Sequence, residues 1–500
     1  IWLGATFLNG YNPILGFLRT LDQYVVHSLG DTDHAAIAVF SLMLGGMVGI
    51  ISQAGGTGGI VKAISRFASS YRGGQLAAWA MGLFIFFDDY ANTLVVGNTM
   101  RPFTDRLRIS REKLSYIVDS TAAPVASIAI ISTWVGFQVG LIQSAFHGLG
   151  VDKDAYFIFL QSITYSFYSI LAIALVFFIA WTQRDYGSMY RAEVRAQKTG
   201  DVLRPGAVPL ADTKTLETMS GKKNIPLRWY NAVVPIVVMI VVSFAGLYYS
   251  GLQALGDQAA GARLGEIIGN ANSFAALLWG TMVGVITAGS MAMAQRLLDL
   301  NEVIEAWLSG IRSMVLAIVI LVLAWGIGAI CNDLHTADFI VQITRGMFTP
   351  HLLPALTFAV AAITAFSTGT SWATMAILTP LVVPVAHQMP IEAGMSGDIA
   401  HTILIGTVGA VLSGSVFGDH CSPISDTTIM SSMASGADHV DHVRTQIPYA
   451  LTAALAALLF GYVPAGYGIH PLLSIPAGII ALLLFVLLVG KKVPAAASAP

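Results

Sequence analysis

Five aspartates interrupt stretches otherwise suited to lipid: Asp88, Asp89, Asp119, Asp419 and Asp426. An ionised side chain at the centre of a membrane helix costs roughly 2.5–3.5 kcal/mol on insertion scales. All 26 Lys and Arg residues fall in loops or at membrane edges, so none is placed to pair with these acids. His420 is the one neighbouring side chain in the motifs that can carry positive charge. The acids must then be neutralised by protons, by bound cations or by water in a cavity. This pattern points to cation or proton chemistry.

Oxygen donors cluster around the acids. In the first half they are Asp89, Asn92, Thr93, Ser120 and Thr121. In the second half they are Ser367, Thr368, Thr370, Ser371, Asp419, Ser422, Asp426 and Thr427. Hydroxyl, amide and carboxylate oxygens are hard ligands suited to Na⁺, by extension from other hard cations. Asp89, Asn92, Asp419 and Asp426 are the candidate Na⁺ ligands. Pro124 and Pro423 each should break a helix and free carbonyls beside these side chains. Other readings stay open. Small hydroxyl residues often only let membrane helices approach closely. Asp88 could merely orient Asp89, and Asp119, six residues after Lys113, could lie in water at the membrane edge.

The elements that position these residues are membrane helices. Charged residues make up 11% of the 500, against roughly 25% in soluble domains. Hydrophobic residues reach 55%, and mean hydropathy is +0.71. This composition excludes a soluble globular enzyme, a disordered chain and a fibrous protein, and fits a polytopic all-α membrane protein. A net charge of −2 gives no electrostatics for nucleic acid. The two cysteines, Cys331 and Cys421, make no disulfide framework. No hydrolase, zinc-protease or kinase motif occurs, no cofactor is implied, and the chain does not read as an enzyme. Gly55-Gly56-Thr57-Gly58-Gly59 lacks the GK[ST] of a phosphate loop and reads as a turn before an amphipathic helix. Asp438-His439-Val440-Asp441-His442 has metal-like spacing but reads as a solvated loop.

Crossings are expected at 35–51, 114–145, 155–181, 231–249, 272–295, 313–330, 401–433, 446–465 and 473–490. Two further apolar stretches, 75–101 and 354–386, have polar centres. Residues 49–66 align with 328–345 at an offset of 279, matching Thr57 to Thr336, Ile64 to Ile343 and Arg66 to Arg345. The same offset lays 87–92 on 366–371, and 119–124 meets 418–423 at an offset of 299, the difference falling at a loop over 387–400. If the two polar-centred stretches are re-entrant hairpins, five crossings separate them and the halves are inverted repeats, a common transporter plan. With 182–230 inside, 22 of the 26 basic residues face inward, and only Arg19, Lys153, Arg263 and Arg345 face outward.

The expected organisation follows. Residues 1–34 are the end of a cut N-terminal helix and an outer loop. A first inverted repeat spans 35–181, with hairpin 75–101 and broken helix 114–145. A plain cytoplasmic linker covers 182–230, and scaffold helices cover 231–295. A second repeat spans 313–465, with hairpin 354–386 and broken helix 401–433, followed by a C-terminal helix at 473–490.

The segments FFDDYANTLVVGNTMRPFTDRLRISREKLSYIVDSTAAPVASIAIISTW (86–134), FSTGTSWATMAILTPLVVP and GSVFGDHCSPISDTTIMSS resemble the NhaC-type Na⁺/H⁺ antiporter family. That resemblance implies an inverted-repeat carrier of the ion-transporter superfamily, with an elevator-type movement and a homodimeric scaffold in a bacterial or archaeal cytoplasmic membrane. Its partners are then lipid, Na⁺ and H⁺. The residues that carry ions or protons would be Asp88, Asp89, Asn92, Thr93, Asp119, Ser120, Thr121, Ser367, Thr368, Thr370, Ser371, Asp419, His420, Ser422, Asp426 and Thr427. The alternative is a Na⁺-coupled carrier of an organic acid or amino acid, of the malate/lactate-exchange type.

Overall fold

The computed structural model describes residues 1–65, 68–150, 154–209, 225–256, 262, 264, 267, 270–335, 339 and 349–494. Of the repeat matches, Arg66, Thr336, Ile343 and Arg345 lie outside these residues, as do the outer basic residues Lys153 and Arg263. The regular structure of the described chain is helical apart from a two-residue antiparallel pairing of Arg184–Asp185 with Lys491–Lys492 and an isolated bridge between Pro209 and Asp438. Among the described residues nine helical segments are long and apolar enough to cross a bilayer. The protein is a multi-pass membrane protein.

Four helices form one bundle: Thr32–Gln53, Tyr230–Leu255, Ser273–Ala294 and Leu300–Asp333. Small residues set their spacing, since a Cβ on Gly310 would overlap the Gly45 carbonyl and one on Gly280 would overlap Ser243 Oγ. The span anticipated at 313–330 is the C-terminal part of a helix that begins at Leu300.

The polar-centred stretches reverse direction. Helix Tyr71–Phe84 ends at Ile85, and Asp89–Arg106 begins three residues after Phe86. Asn92 Nδ2 lies 2.7 Å from the Gly82 carbonyl, a distance that one straight helix cannot give over ten residues, about 15 Å of rise. The second reversal follows from pairings on helix Gly397–Cys421. Its Gly406, Gly414 and Gly418 meet Pro354, Phe358 and Ala362 in order, so Leu353–Thr368 runs parallel to it. Ser371 meets Asp419 at its far end, so Ser371–Glu392 runs antiparallel. The turn between the arms is Gly369, at φ +70°, where a side chain is disfavoured and a Cβ would overlap Ile424. The arms of this second hairpin are each long and apolar enough to span, whereas the 14-residue and 18-residue arms of the first are not among those nine segments.

Two helices are interrupted. In the first, Arg111–Ser120 and the single turn Ala123–Ala126 precede irregular chain that leads to Val135–Gly148. In the second, Gly397–Cys421 stops before Pro423 and Asp426–Ser435 restarts, capped by Ser425 Oγ on Thr428 N. The expected span 155–181 is also interrupted, between Ala155–Ile163 and Phe167–Thr182.

Several expectations are corrected. The anticipated outer loop within 1–34 is helical: Trp2–Leu8, Pro13–Arg19, a π-helical turn Thr20–Val26 and His27–Gly30. Asn12 Oδ1 accepts from Ile14 N and Leu15 N ahead of Pro13, a strong helix start. The loop expected at 387–400 is largely helix, because Ser371–Glu392 runs on and Gly397–Cys421 starts four residues after Ala393. The linker is not plain. Its helix Gly187–Thr199 and Asp185 dock on the core through buried charges: Asp185 bonds Lys113 and takes 2.6 Å from Tyr449, and Arg195 pairs with Glu112 at 2.9 Å. Asp438–His442 is no solvated loop. Asp438 caps helix His439–Ala456, and His442 is fully buried.

Candidate functional site

At the first hairpin tip, Asp88 is the N-cap of Asp89–Arg106, its Oδ1 accepting from Ala91 N at 2.7 Å. Asp89, Asn92 and Thr93 follow at helical spacing and share one face. All three are buried, Asp89 to 1% exposure, and among the described residues Asp89 Oδ2, Asn92 Oδ1 and Thr93 Oγ1 make no close hydrogen bond, with Trp134 beside Asp89. Buried polar oxygens are nearly always bonded, so these three are candidate ligands for a cation or an ordered water. The Asn92 amide holds the tip to the first broken helix: Nδ2 donates to Gly82 O and Thr121 O, both at 2.7 Å. Thr121 Oγ1 bonds back to Ile117 O at 2.8 Å.

The second hairpin meets the second broken helix through Asp419, which is 1% exposed. Ser371 Oγ donates to Asp419 Oδ2 at 2.9 Å, and Ser425 Oγ to Oδ1 at 2.5 Å. Ser425 Oγ also lies 2.9 Å from Thr427 Oγ1. Ser422 Oγ donates to the Phe366 carbonyl at 2.8 Å, fastening the break to the hairpin. Thr370 caps the arm that begins at Ser371.

The two clusters are joined. Tyr90 OH donates to Asp426 Oδ2 at 2.6 Å. Ser120 Oγ and His420 Nε2 are 2.8 Å apart, and His420 Nδ1 is 2.6 Å from Tyr168 OH. Asp119 accepts from Ser431 Oγ at 3.2 Å and from Gln446 Nε2 at 2.6 Å, with His442 Nε2 at 3.8 Å. Among the described residues no Lys or Arg is in ion-pair range of Asp88, Asp89, Asp119, Asp419 or Asp426. A cavity of about 90 Å³ opens beside Asp88 and Tyr90, walled by Gly45, Gly49 and Ser309 of the bundle.

Not every anticipated residue joins the clusters. Ser367 and Thr368 are exposed and spend their hydroxyls on Ile363 O and Thr364 O, one helical turn back. Asp426 is exposed rather than buried, because it opens a helix at the mouth of the break. Asp119 is not wet at the edge: it is 1% exposed under His442 and Gln446. Tyr90, Tyr168, Ser425, Ser431, His442 and Gln446 were not anticipated at the site. His442, Gln446 and Tyr449 recur at helical spacing, a polar stripe that carries the signal for a buried face.

The sequence profile of the Na⁺/H⁺ antiporter family matches residues 125–466, more than half of the chain. The chain belongs to the Na⁺/H⁺ antiporter family. The resemblance read from 86–134 and the two later motifs is thereby borne out. An uncharacterised protein of Haemophilus influenzae is similar to this family member, 32% identical over 91% of this chain and 83% of its own. The malate-2H⁺/Na⁺-lactate antiporter of Bacillus subtilis is 30% identical over 24% of this chain and 23% of its own. The crystal structure of the Alcanivorax borkumensis YdaH transporter shares the fold. It superposes with a TM-score of 0.59 at 16% identity, covering 91% of this chain and 90% of that one. The antiporter-family chain is therefore a membrane transporter, whose two hairpins and two breaks converge on the carboxylates described above.

Proposed function

We propose that this chain exchanges Na⁺ for H⁺ across the cytoplasmic membrane of a bacterial or archaeal cell, the two ions competing for the same carboxylates. The observation that carries the reading is the pair of oxygen clusters without basic partners: Asp89 with Asn92 and Thr93, and Asp419 with Ser371 and Ser425. Asp89, Asn92 and Asp419 hold Na⁺, with Asp426 at the rim. Asp88 and Asp119 hold or pass protons. A vacant, charged carboxylate is costly inside a membrane, so the unit moves with either ion bound but not empty. That rule alone produces obligatory exchange.

The hairpins and broken helices form the moving unit of an inverted-repeat, elevator-type carrier. Asn92 and Ser371 each tie a hairpin to its own broken helix, which supports movement as one body. The bundle of Thr32–Gln53, Tyr230–Leu255 and Ser273–Ala294 is the static scaffold and the homodimer contact. The similarity to the malate-2H⁺/Na⁺-lactate antiporter favours a second reading, a Na⁺-coupled organic-acid carrier. Proteoliposomes with an interior pH dye separate the two. Na⁺ pulses alone should release protons, and Asp89→Asn and Asp419→Asn should abolish the release. Flux that requires added malate or lactate decides for the second reading.

A further inference from the structure

The His439–His442 segment is left over by the exchange site, yet it joins that site to the protein surface. His439 is half-buried, and its helix start lies with the basic face, where Arg204 pairs with Asp441 at 2.8 Å and Arg111 donates to Gly436 O at 3.0 Å. From there a continuous chain of contacts runs inward. His439 Nε2 is 2.7 Å from Pro423 O, and His439 Nδ1 is 3.0 Å from Ser432 Oγ. Ser432 Oγ is 2.8 Å from His442 Nδ1. His442 Nε2 is 2.7 Å from Gln446 Oε1 and 3.8 Å from Asp119 Oδ2. Gln446 Nε2 donates to that same Asp119 oxygen at 2.6 Å.

Donor and acceptor counting fixes the direction of the chain. The Pro423 carbonyl and the Gln446 Oε1 only accept, so His439 Nε2 and His442 Nε2 must each bear a proton. His442 Nδ1 is then bare when the ring is neutral and takes the Ser432 hydroxyl proton. Ser432 Oγ is left to accept, and only a proton on His439 Nδ1 satisfies the 3.0 Å contact. Every contact is matched when His439 is the imidazolium. When His439 is neutral, the Ser432 hydroxyl has its alternative partner in the Thr428 carbonyl at 2.9 Å.

We propose that His439, Ser432 and His442 are a proton relay that loads Asp119 from the cytoplasmic face; it rests on the exchange reading above. The His439 Nδ1–H bond breaks as an O–H forms on Ser432, and the original Ser432 O–H breaks as N–H forms on His442 Nδ1. His442, now the imidazolium, gives its Nε2 proton to Asp119 Oδ2 once the Gln446 side chain swings aside and the 3.8 Å gap closes. One proton moves from solvent to the carboxylate and no electrons are transferred. Rotation of the Ser432 hydroxyl and retautomerisation of His442 reset the chain.

The test uses the full chain in proteoliposomes, with two fluxes compared. Na⁺-driven proton release needs the relay, whereas exchange of labelled Na⁺ for unlabelled Na⁺ needs no proton to move. Ser432→Ala and His439→Gln should slow proton release at least tenfold and leave Na⁺/Na⁺ exchange within twofold of the parent. Proton release within twofold of the parent in both variants overturns the relay and leaves the exchange reading standing. Parallel loss of both fluxes also overturns it, since that is the mark of a structural role. A parent protein that releases no protons with Na⁺ overturns the exchange reading, and the relay with it.

Discussion

The Tyr90 hydroxyl donates to Asp426 Oδ2 at 2.6 Å, and this bond links the tip of the first hairpin to the break in the second half. The residues are 336 positions apart. Two clusters that lie in separate halves of the sequence are thereby in direct contact. A hydrogen bond to a charged group contributes about 1.5–3 kcal/mol when shielded. Asp426 is exposed, so screening brings the figure nearer to 1 kcal/mol. Tyr90→Phe should weaken apparent Na⁺ affinity roughly fivefold by that estimate. In a double-mutant cycle with Asp426→Asn, the pair should be no worse than Asp426→Asn alone. Simple additivity in Na⁺ titrations of proton release would show that the bond does not act in ion binding.

Asp419 is held by one serine from each side of the cluster, Ser371 and Ser425. Removing either hydroxyl leaves one buried carboxylate oxygen without its donor, at a cost of about 1–3 kcal/mol. Ser371→Ala and Ser425→Ala should each weaken apparent Na⁺ affinity about tenfold, measured on the folded fraction of the protein. Parental Na⁺ affinity in both variants would remove Asp419 from the ion site.

How much of this was legible depends on how far apart the partners lie in the chain. The polar centres of 75–101 and 354–386 and Pro423 are local signals, each held within a few residues of the reversal or break that it marks. The burial of Asp119 was not legible, since its cover, His442 and Gln446, lies more than 300 positions away. Ser367 and Thr368 carry the right atoms but close the arm just before Gly369, where carbonyls one turn back in their own helix take the hydroxyls. The charges of 182–209 read as solvated because Asp185 meets Lys113 only after the chain folds back.

Glu193, on the docked linker helix outside the spans, is the clearest pH-sensitive contact. It accepts from Ser110 N at 2.8 Å and from Tyr71. Burial pushes its carboxyl up to about 7, opposed by Lys113 and reinforced by Asp185. An acid whose pKa is raised on folding holds its proton in the docked state, so docking is favoured below its free-chain value and weakens as pH rises through 7. Hydrogen exchange of Gly187–Thr199 should therefore be faster at pH 8 than at pH 6 after correction for intrinsic rates. Glu193→Gln, which keeps an acceptor without the charge, should flatten that dependence. An unchanged pH dependence in the variant would assign it to another group.

The inverted-repeat reading makes a prediction about sidedness, from the positive-inside count and an odd number of crossings between the hairpins. Lys198 lies in the last turn of the docked linker helix, and Glu392 ends the second hairpin. Lys198→Cys should react with impermeant maleimide only from the cytoplasm, and Glu392→Cys only from outside. Labelling of both from one face would end the inverted-repeat reading.

Asn92 separates architecture from ion binding within one side chain. Its Nδ2 is a strut, donating to the Gly82 and Thr121 carbonyls, while its Oδ1 is a buried oxygen with no hydrogen-bond partner among the described residues. Close contact makes the strut necessary, since a Cβ on Gly82 would overlap Thr121 and the two segments cannot part without baring both carbonyls. Asn92→Ala removes both functions and strands two buried acceptors, at about 1–3 kcal/mol each. Asn92→Asp keeps Oδ1 but aims a second oxygen at those carbonyls, so it should be no more stable. Asp89→Asn touches no strut and should unfold at the parental temperature. Na⁺ binds only the folded state and so should raise the melting temperature of the parent. That rise should vanish in Asp89→Asn while its baseline holds, and in Asn92→Ala the baseline itself should fall. Thermal unfolding in detergent, with Na⁺ against choline, reads both effects. A full Na⁺-induced rise in Asp89→Asn would place the ion elsewhere than the first hairpin tip.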